Sequence, residues 1–125
     1  MAITLPTHAN AVIIGGGIIG TSVAYHLTKL GWKDVVLLER KQLTSGTTWH
    51  AAGLIAQLRA TQNMTRLAKY SQELYFSLEE ETGVSTGFKR NGSITVALTD
   101  ERMEELRRSA GMARAFGVEI DEIST

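Results

Sequence analysis

Residues 10–40, NAVIIGGGIIGTSVAYHLTKLGWKDVVLLER, leave this chain few choices of fold. A short apolar run, Ala11 to Ile14, meets three consecutive glycines. From Ile18 to Leu30 the pattern is helical, with Ile19, Val23, Ala24, Leu27 and Leu30 on one face. Gly31 suits the left-handed position just past a helix end. A second apolar run, Val35 to Leu38, then ends in Glu39. That run is apolar throughout, as expected of a strand buried on both faces. The order is strand, turn, helix, strand: a βαβ unit, and hence an α/β, Rossmann-like domain.

The first turn carries G-x-G-x-x-G at Gly15, Gly17 and Gly20. Gly15 lets the backbone turn sharply out of the strand. Gly17 has no Cβ, so a pyrophosphate can approach the N–H groups at the helix start, around Ile18 and Ile19. Gly20 lets the helix pack closely on the sheet. Unpaired donors and a positive partial charge at the helix N-terminus suit an anion. Glu39 follows Gly20 by nineteen residues, where a carboxylate accepts from ribose hydroxyls. It disfavours a 2′-phosphate beside it and hence NADP. The fingerprint by itself does not separate NAD from FAD, and a glycine turn without a ligand is the bland alternative.

Composition narrows the function classes. Thirteen basic and thirteen acidic residues are interspersed, so no charge argument points to nucleic acid or to a membrane surface. No apolar run approaches the ~18–20 residues of a membrane span. The first ten residues, MAITLPTHAN, hold neither Arg nor Lys, and read as neither a secretory signal nor a mitochondrial presequence. The expected location is cytoplasmic. With no cysteine, a disulfide framework, a cysteine zinc site and a thiol nucleophile are excluded within residues 1–125.

Met1 to Ala9 forms a polar lead-in with Pro6 and a solvated His8. His26, beside Leu27, reads as a surface or boundary histidine. Arg40 to Leu54 is small, polar and glycine-punctuated: a loop, or a loop leading into a helix. A helix is expected over Gln62 to Thr82, its face built from Met64, Leu67, Ser71, Leu74, Tyr75 and Leu78, with the aromatic pair Tyr75 and Phe76 in the core. Asn91-Gly92 before Ser93 to Leu98 signals a turn into a strand, a hairpin if Val84 to Phe88 is the partner. Thr99-Asp100 caps a further helix, Glu101 to Phe116, with Met103, Leu106, Ala110 and Ala113 inward and Arg107, Arg108 and Arg114 solvated. One βαβ unit supplies two strands, fewer than a parallel sheet normally has. Residues 1–125 are therefore expected to be the N-terminal part of a larger domain, with the remainder beyond Thr125.

Two features extend the reading from dinucleotide to flavin. After Gly20 come Ala24, Leu27 and Gly31, and then the pair Glu39-Arg40. This spacing looks like the FAD-binding form of the motif. The loop Thr44-Ser45-Gly46-Thr47-Thr48-Trp49-His50-Ala51-Ala52-Gly53-Leu54 is more distinctive. It resembles the segment after the second strand in the dimethylglycine and sarcosine dehydrogenases, of the D-amino-acid-oxidase-like superfamily of flavoproteins. The similarity extends over Ala11 to Ser124.

The resemblance implies FAD held by Gly15, Gly17, Ile18, Ile19, Gly20, Glu39, Arg40, Thr47, Thr48, Gly53 and Leu54. It implies that His50 carries the flavin covalently through the 8α-methyl; a histidine that only hydrogen-bonds near the flavin is the other reading. Trp49 packs beside the ring or in the core. The implied activity is oxidative N-demethylation of a small methylated amino acid such as dimethylglycine or sarcosine. A C-terminal domain commonly passes the formaldehyde unit to tetrahydrofolate in that family, and no residue here corresponds to it. Electrons go to oxygen or to an electron-transfer protein. An oxidoreductase for another secondary or tertiary amine, a non-catalytic regulatory relative, and a plain NAD-dependent Rossmann enzyme are the competing readings. No catalytic base is assigned, and no metal.

Overall fold

The structure, a computed structural model, describes residues 5–123. The start of the lead-in, 1–4, and Ser124 and Thr125 of the tail lie outside the described residues. The chain forms two compact units that meet in sequence at Gly53 and Leu54.

In the first unit, β1 (Ala11–Ile14) and β2 (Val35–Leu38) pair in parallel, Ala11 opposite Val35 and Ile14 opposite Leu38. Helix α1 (Ile18–Lys29) crosses between them and packs on both strands. Past its C-cap Leu30, Gly31 sits at φ +86°. The N–H of Gly31 donates to the Thr28 carbonyl at 2.9 Å and that of Trp32 to Leu27 at 3.0 Å. These are the two bonds of a Schellman stop, which needs the left-handed residue that glycine supplies. Only part of the expected helical face is used: Ala24 and Leu27 are half-buried, whereas Ile19 and Leu30 are exposed. The half-buried His26 hydrogen-bonds the Ser22 carbonyl. β2 is half-buried rather than covered on both faces, because a pair of strands with one helix covers only one.

The second unit holds α2 (Gln62–Thr82) and α3 (Asp100–Ala115). Both start on threonine caps: Thr61 accepts from the Met64 N–H and Thr99 from the Arg102 N–H. Both stop before left-handed glycines, Gly83 at φ +71° and Gly117 at φ +70°. Ala110 and Ala113 are buried in α3, as the spacing predicts. In α2 the buried residue is Thr65, while Met64 and Leu67 are exposed. The Thr65 hydroxyl donates to the Arg59 carbonyl and accepts the Arg59 N–H, so its polar group is satisfied where an apolar residue was expected. Phe76 is exposed under the Arg90 guanidinium, and is not core; Tyr75 stands 6.3 Å from Phe88. Arg107 is not merely solvated: it makes a two-pronged ion pair with Glu122.

The hairpin expected over 84–98 is not formed; this segment is irregular. A two-residue Asn-Gly hairpin turn needs both residues at positive φ. Gly92 is at +71°, but Asn91 is not among the residues of positive φ. Ile94, Val96 and Leu98 keep the alternation of a strand and are exposed. Among the described residues no helix is long and apolar enough to cross a membrane, and no group of acidic or histidine side chains could hold a metal ion.

Candidate nucleotide site

β1 delivers the chain to the glycine turn. Gly15 takes φ +109°, a region closed to other residues, and its N–H still donates to the Leu38 carbonyl at 2.8 Å. Gly20 faces back into the turn: a Cβ there would stand 1.9 Å from the Gly15 carbonyl oxygen. Both roles expected of these residues are therefore met by the geometry. At Gly17 a Cβ would meet the Thr48 hydroxyl at 3.1 Å, so the vacant side of this glycine faces the loop after β2.

The middle glycine was not singled out from the sequence, yet Gly16 is the one fully buried residue of the first unit among the described residues. Its N–H donates to Glu39 Oε2 at 2.7 Å, and its carbonyl accepts from the Thr44 N–H at 2.9 Å. A Cβ on it would lie 2.5 Å from a Leu43 methyl. The available signal was the unbroken run of three glycines where the fingerprint asks for alternate ones.

Glu39 is anchored from both sides, since its Oε1 accepts the Lys41 N–H at 2.8 Å. The Gly16 N–H, then the Lys41 N–H, hold its carboxyl below the usual carboxylate range, with the Arg40 backbone and guanidinium adding to this. Each carboxylate oxygen keeps a second lone pair, enough to accept a ribose hydroxyl.

Helix α1 receives no side-chain cap from Gly17. The Ile18 N–H donates instead to Thr48 Oγ1 at 2.9 Å. The N–H groups of Ile19 and Gly20 have no acceptor among the described residues. Two open donors at a helix start, beside a glycine turn without Cβ atoms, are what a pyrophosphate requires. The residues present fit the group that the sequence implied.

Thr47, Thr48 and His50 lie in a single 3₁₀ turn, Thr47–His50. His50 is exposed, with Nδ1 3.1 Å from the Gly46 carbonyl. A carbonyl only accepts, so this bond puts the proton on Nδ1 and leaves Nε2 with its lone pair. Trp49 is exposed, not packed in a core. Thr44 takes φ +66°, rare for a β-branched residue, which no residue type in this loop signals. Gly53 closes the unit at φ +74°, and Leu54 opens the next.

Known proteins are similar to this chain. The chain is 46% identical over 98% of its length to the mitochondrial pyruvate dehydrogenase phosphatase regulatory subunit of Mus musculus. It is 48% identical over 94% to the formaldehyde-forming 4-methylaminobutanoate oxidase of Paenarthrobacter nicotinovorans. It is 52% identical over 79% to the mitochondrial dimethylglycine dehydrogenase of Rattus norvegicus. The chain spans only 12 to 14% of the length of these relatives. Among solved structures, the L-amino acid deaminase from Proteus vulgaris matches with a TM-score of 0.82 at 20% identity, over 97% of this chain and 28% of that one. The likeness shows the fold. Residues 10–125, which hold the glycine turn, Glu39 and the His50 loop, match the model of the FAD dependent oxidoreductase family, and the chain belongs to that family.

Proposed function

We propose that this chain supplies the FAD-binding start of an amine oxidoreductase that N-demethylates a small methylated amino acid such as dimethylglycine or sarcosine. The observation that carries the reading is the docking of residues 44–48 on the glycine turn, through Thr44 to Gly16 and Ile18 to Thr48. It joins the fingerprint to the string that resembles the dimethylglycine and sarcosine dehydrogenases. The names of the rat dehydrogenase and the bacterial oxidase, both near half identical, agree with a methylated amine as substrate.

In this reading Ile19 and Gly20 donate to the pyrophosphate, Glu39 accepts from the ribose, and Arg40, Thr47, Gly53 and Leu54 line the cofactor. When bound, the flavin supplies a two-electron acceptor: a hydride leaves the N-methyl carbon, the amine lone pair forms C=N, and water releases formaldehyde. Most of the substrate pocket falls to residues other than 1–125. Electrons pass on to oxygen or to an electron-transfer protein. Handing the formaldehyde unit to tetrahydrofolate falls to residues other than these. Cytoplasmic residence belongs to the proposal, and cell fractionation checks it.

In this reading His50 would be the tether, its Nε2 offering its lone pair to the flavin 8α position; closing that bond would release two protons and two electrons, which dioxygen would take up as peroxide. Acid-precipitated full-length protein should stay yellow and fluoresce in a denaturing gel, and His50→Ala should abolish this. Flavin released quantitatively by acid would refute the tether.

A second reading has its own support in the 46% identity to a regulatory subunit over 98% of the chain. Turnover of a panel of N-methyl glycines and other N-methyl amines, with an artificial electron acceptor, separates the readings. Bleaching of the flavin by none of the panel favours a regulatory role.

A further inference from the structure

The hydroxyl that caps α1 comes from Thr48, thirty positions further along the chain. A capping hydroxyl ordinarily belongs to the residue just before the helix. Here that residue is Gly17, and the first N–H of α1 is met from the far side by the loop after β2. The same loop is tied a second time, by the Thr44 N–H to the Gly16 carbonyl, with Thr44 held at φ +66°. A threonine in that conformation is disfavoured, so the ties on either side must hold it there. The Ala51 N–H donates to the Thr48 carbonyl at 3.2 Å and closes the turn that carries His50. Within that turn the Gly46 carbonyl fixes the imidazole.

We infer that Thr48 is a positioning residue for His50: by capping α1 it seats the 3₁₀ turn on the glycine turn and presents His50 Nε2 in one place. The assignment rests on the reading of His50 as the flavin tether. The bond from Ile18 uses a lone pair of the Thr48 oxygen and not its hydrogen. The hydroxyl hydrogen therefore remains available to a phosphate oxygen, so that one side chain would couple the helix start, the cofactor and the tether turn.

The test compares the wild-type full-length protein with Thr48→Val and Thr48→Ser. Apoprotein is mixed with FAD, samples are acid-precipitated over time, and tethered flavin is read by fluorescence in a denaturing gel. Valine keeps the shape and loses the hydroxyl; serine keeps the hydroxyl. Thr48→Val should tether roughly five- to tenfold more slowly, the scale of a lost capping hydroxyl. Thr48→Ser should stay close to wild type, a rescue that a purely space-filling role would not give. A folded Thr48→Val protein that tethers at the wild-type rate overturns the inference. If Thr48→Val does not fold, Thr48→Ala takes its place with the same two outcomes. Should the wild type release its flavin to acid, the tether reading fails and this inference falls with it.

Discussion

The Gly16 N–H and the Glu39 carboxylate, twenty-three residues apart, are joined at 2.7 Å. The acid just after β2 therefore shapes the glycine turn, in addition to the ribose contact proposed for it. Replacing it touches both. Glu39→Gln keeps one acceptor oxygen but puts an amide against the Gly16 or the Lys41 N–H. FAD binding, followed by flavin fluorescence quenching, should weaken by about tenfold, as charge-assisted bonds are roughly twice as strong as neutral ones.

The same bond sets a pH dependence. The folded-state pKa of Glu39 lies below its ordinary value of 4.5, so the stabilisation is fully present above that value. It is lost as pH falls through the depressed folded pKa. A series of melting temperatures from neutral towards acid should show a loss of stability that begins below 4.5 and is blunted in Glu39→Gln. A wild-type profile identical to that of the variant would count against it.

Two glycines that look alike in the sequence should respond differently to alanine. At Gly20 the new methyl meets the Gly15 carbonyl oxygen at 1.9 Å, and backbone cannot step aside. Gly20→Ala should cost about 3 kcal/mol or more, seen in thermal unfolding. At Gly16 the nearest atom is a terminal methyl of Leu43, a side chain with rotamers to spare. Gly16→Ala should cost about 1 kcal/mol, and Leu43→Ala in the same protein should recover part of it.

Gly111 points the other way. It lies inside α3 with open space where a Cβ would go and no positive φ. Gly111→Ala should stabilise the protein by about 0.5–1 kcal/mol. Gly83→Ala, at φ +71° beyond α2, should destabilise by about 1 kcal/mol. Paired melting curves read both signs.

The 125-residue chain by itself should be poorly soluble. Among the described residues its buried hydrophobic side chains are Ala110 and Ala113, whereas Ile14, Leu54 and Leu98 are each more than four-fifths exposed. The parallel pair β1–β2 also leaves strand edges open. A cooperative thermal transition from that protein would refute the expectation.

Local signals in the sequence carried most of the fold. Apolar periodicity located α1, α2 and α3, and Gly31, Gly83 and Gly117 located where they stop, because a left-handed residue is a local requirement. The hairpin failed on the same scale: Asn91 did not adopt the conformation that would have folded 84–98 back on itself. The helix faces were legible only in part. Ile19, Met64 and Leu67 have the right spacing, but neither unit supplies a surface to cover them. At the nucleotide site, Gly15, Gly20 and Glu39 could be read from spacing. The bonds from Gly16 to Glu39, from Thr44 to Gly16 and from Ile18 to Thr48 could not. Each joins positions more than twenty residues apart, and nothing in the composition of either end names the other.

Those three bonds share one property: all their ends fall between residues 16 and 48. These ties of the candidate nucleotide site are thus self-contained, and can pass intact from ancestor to descendant while sequence around them is rewritten. An oxidoreductase and a regulatory protein could then share these ties and differ in what the rest of each chain does.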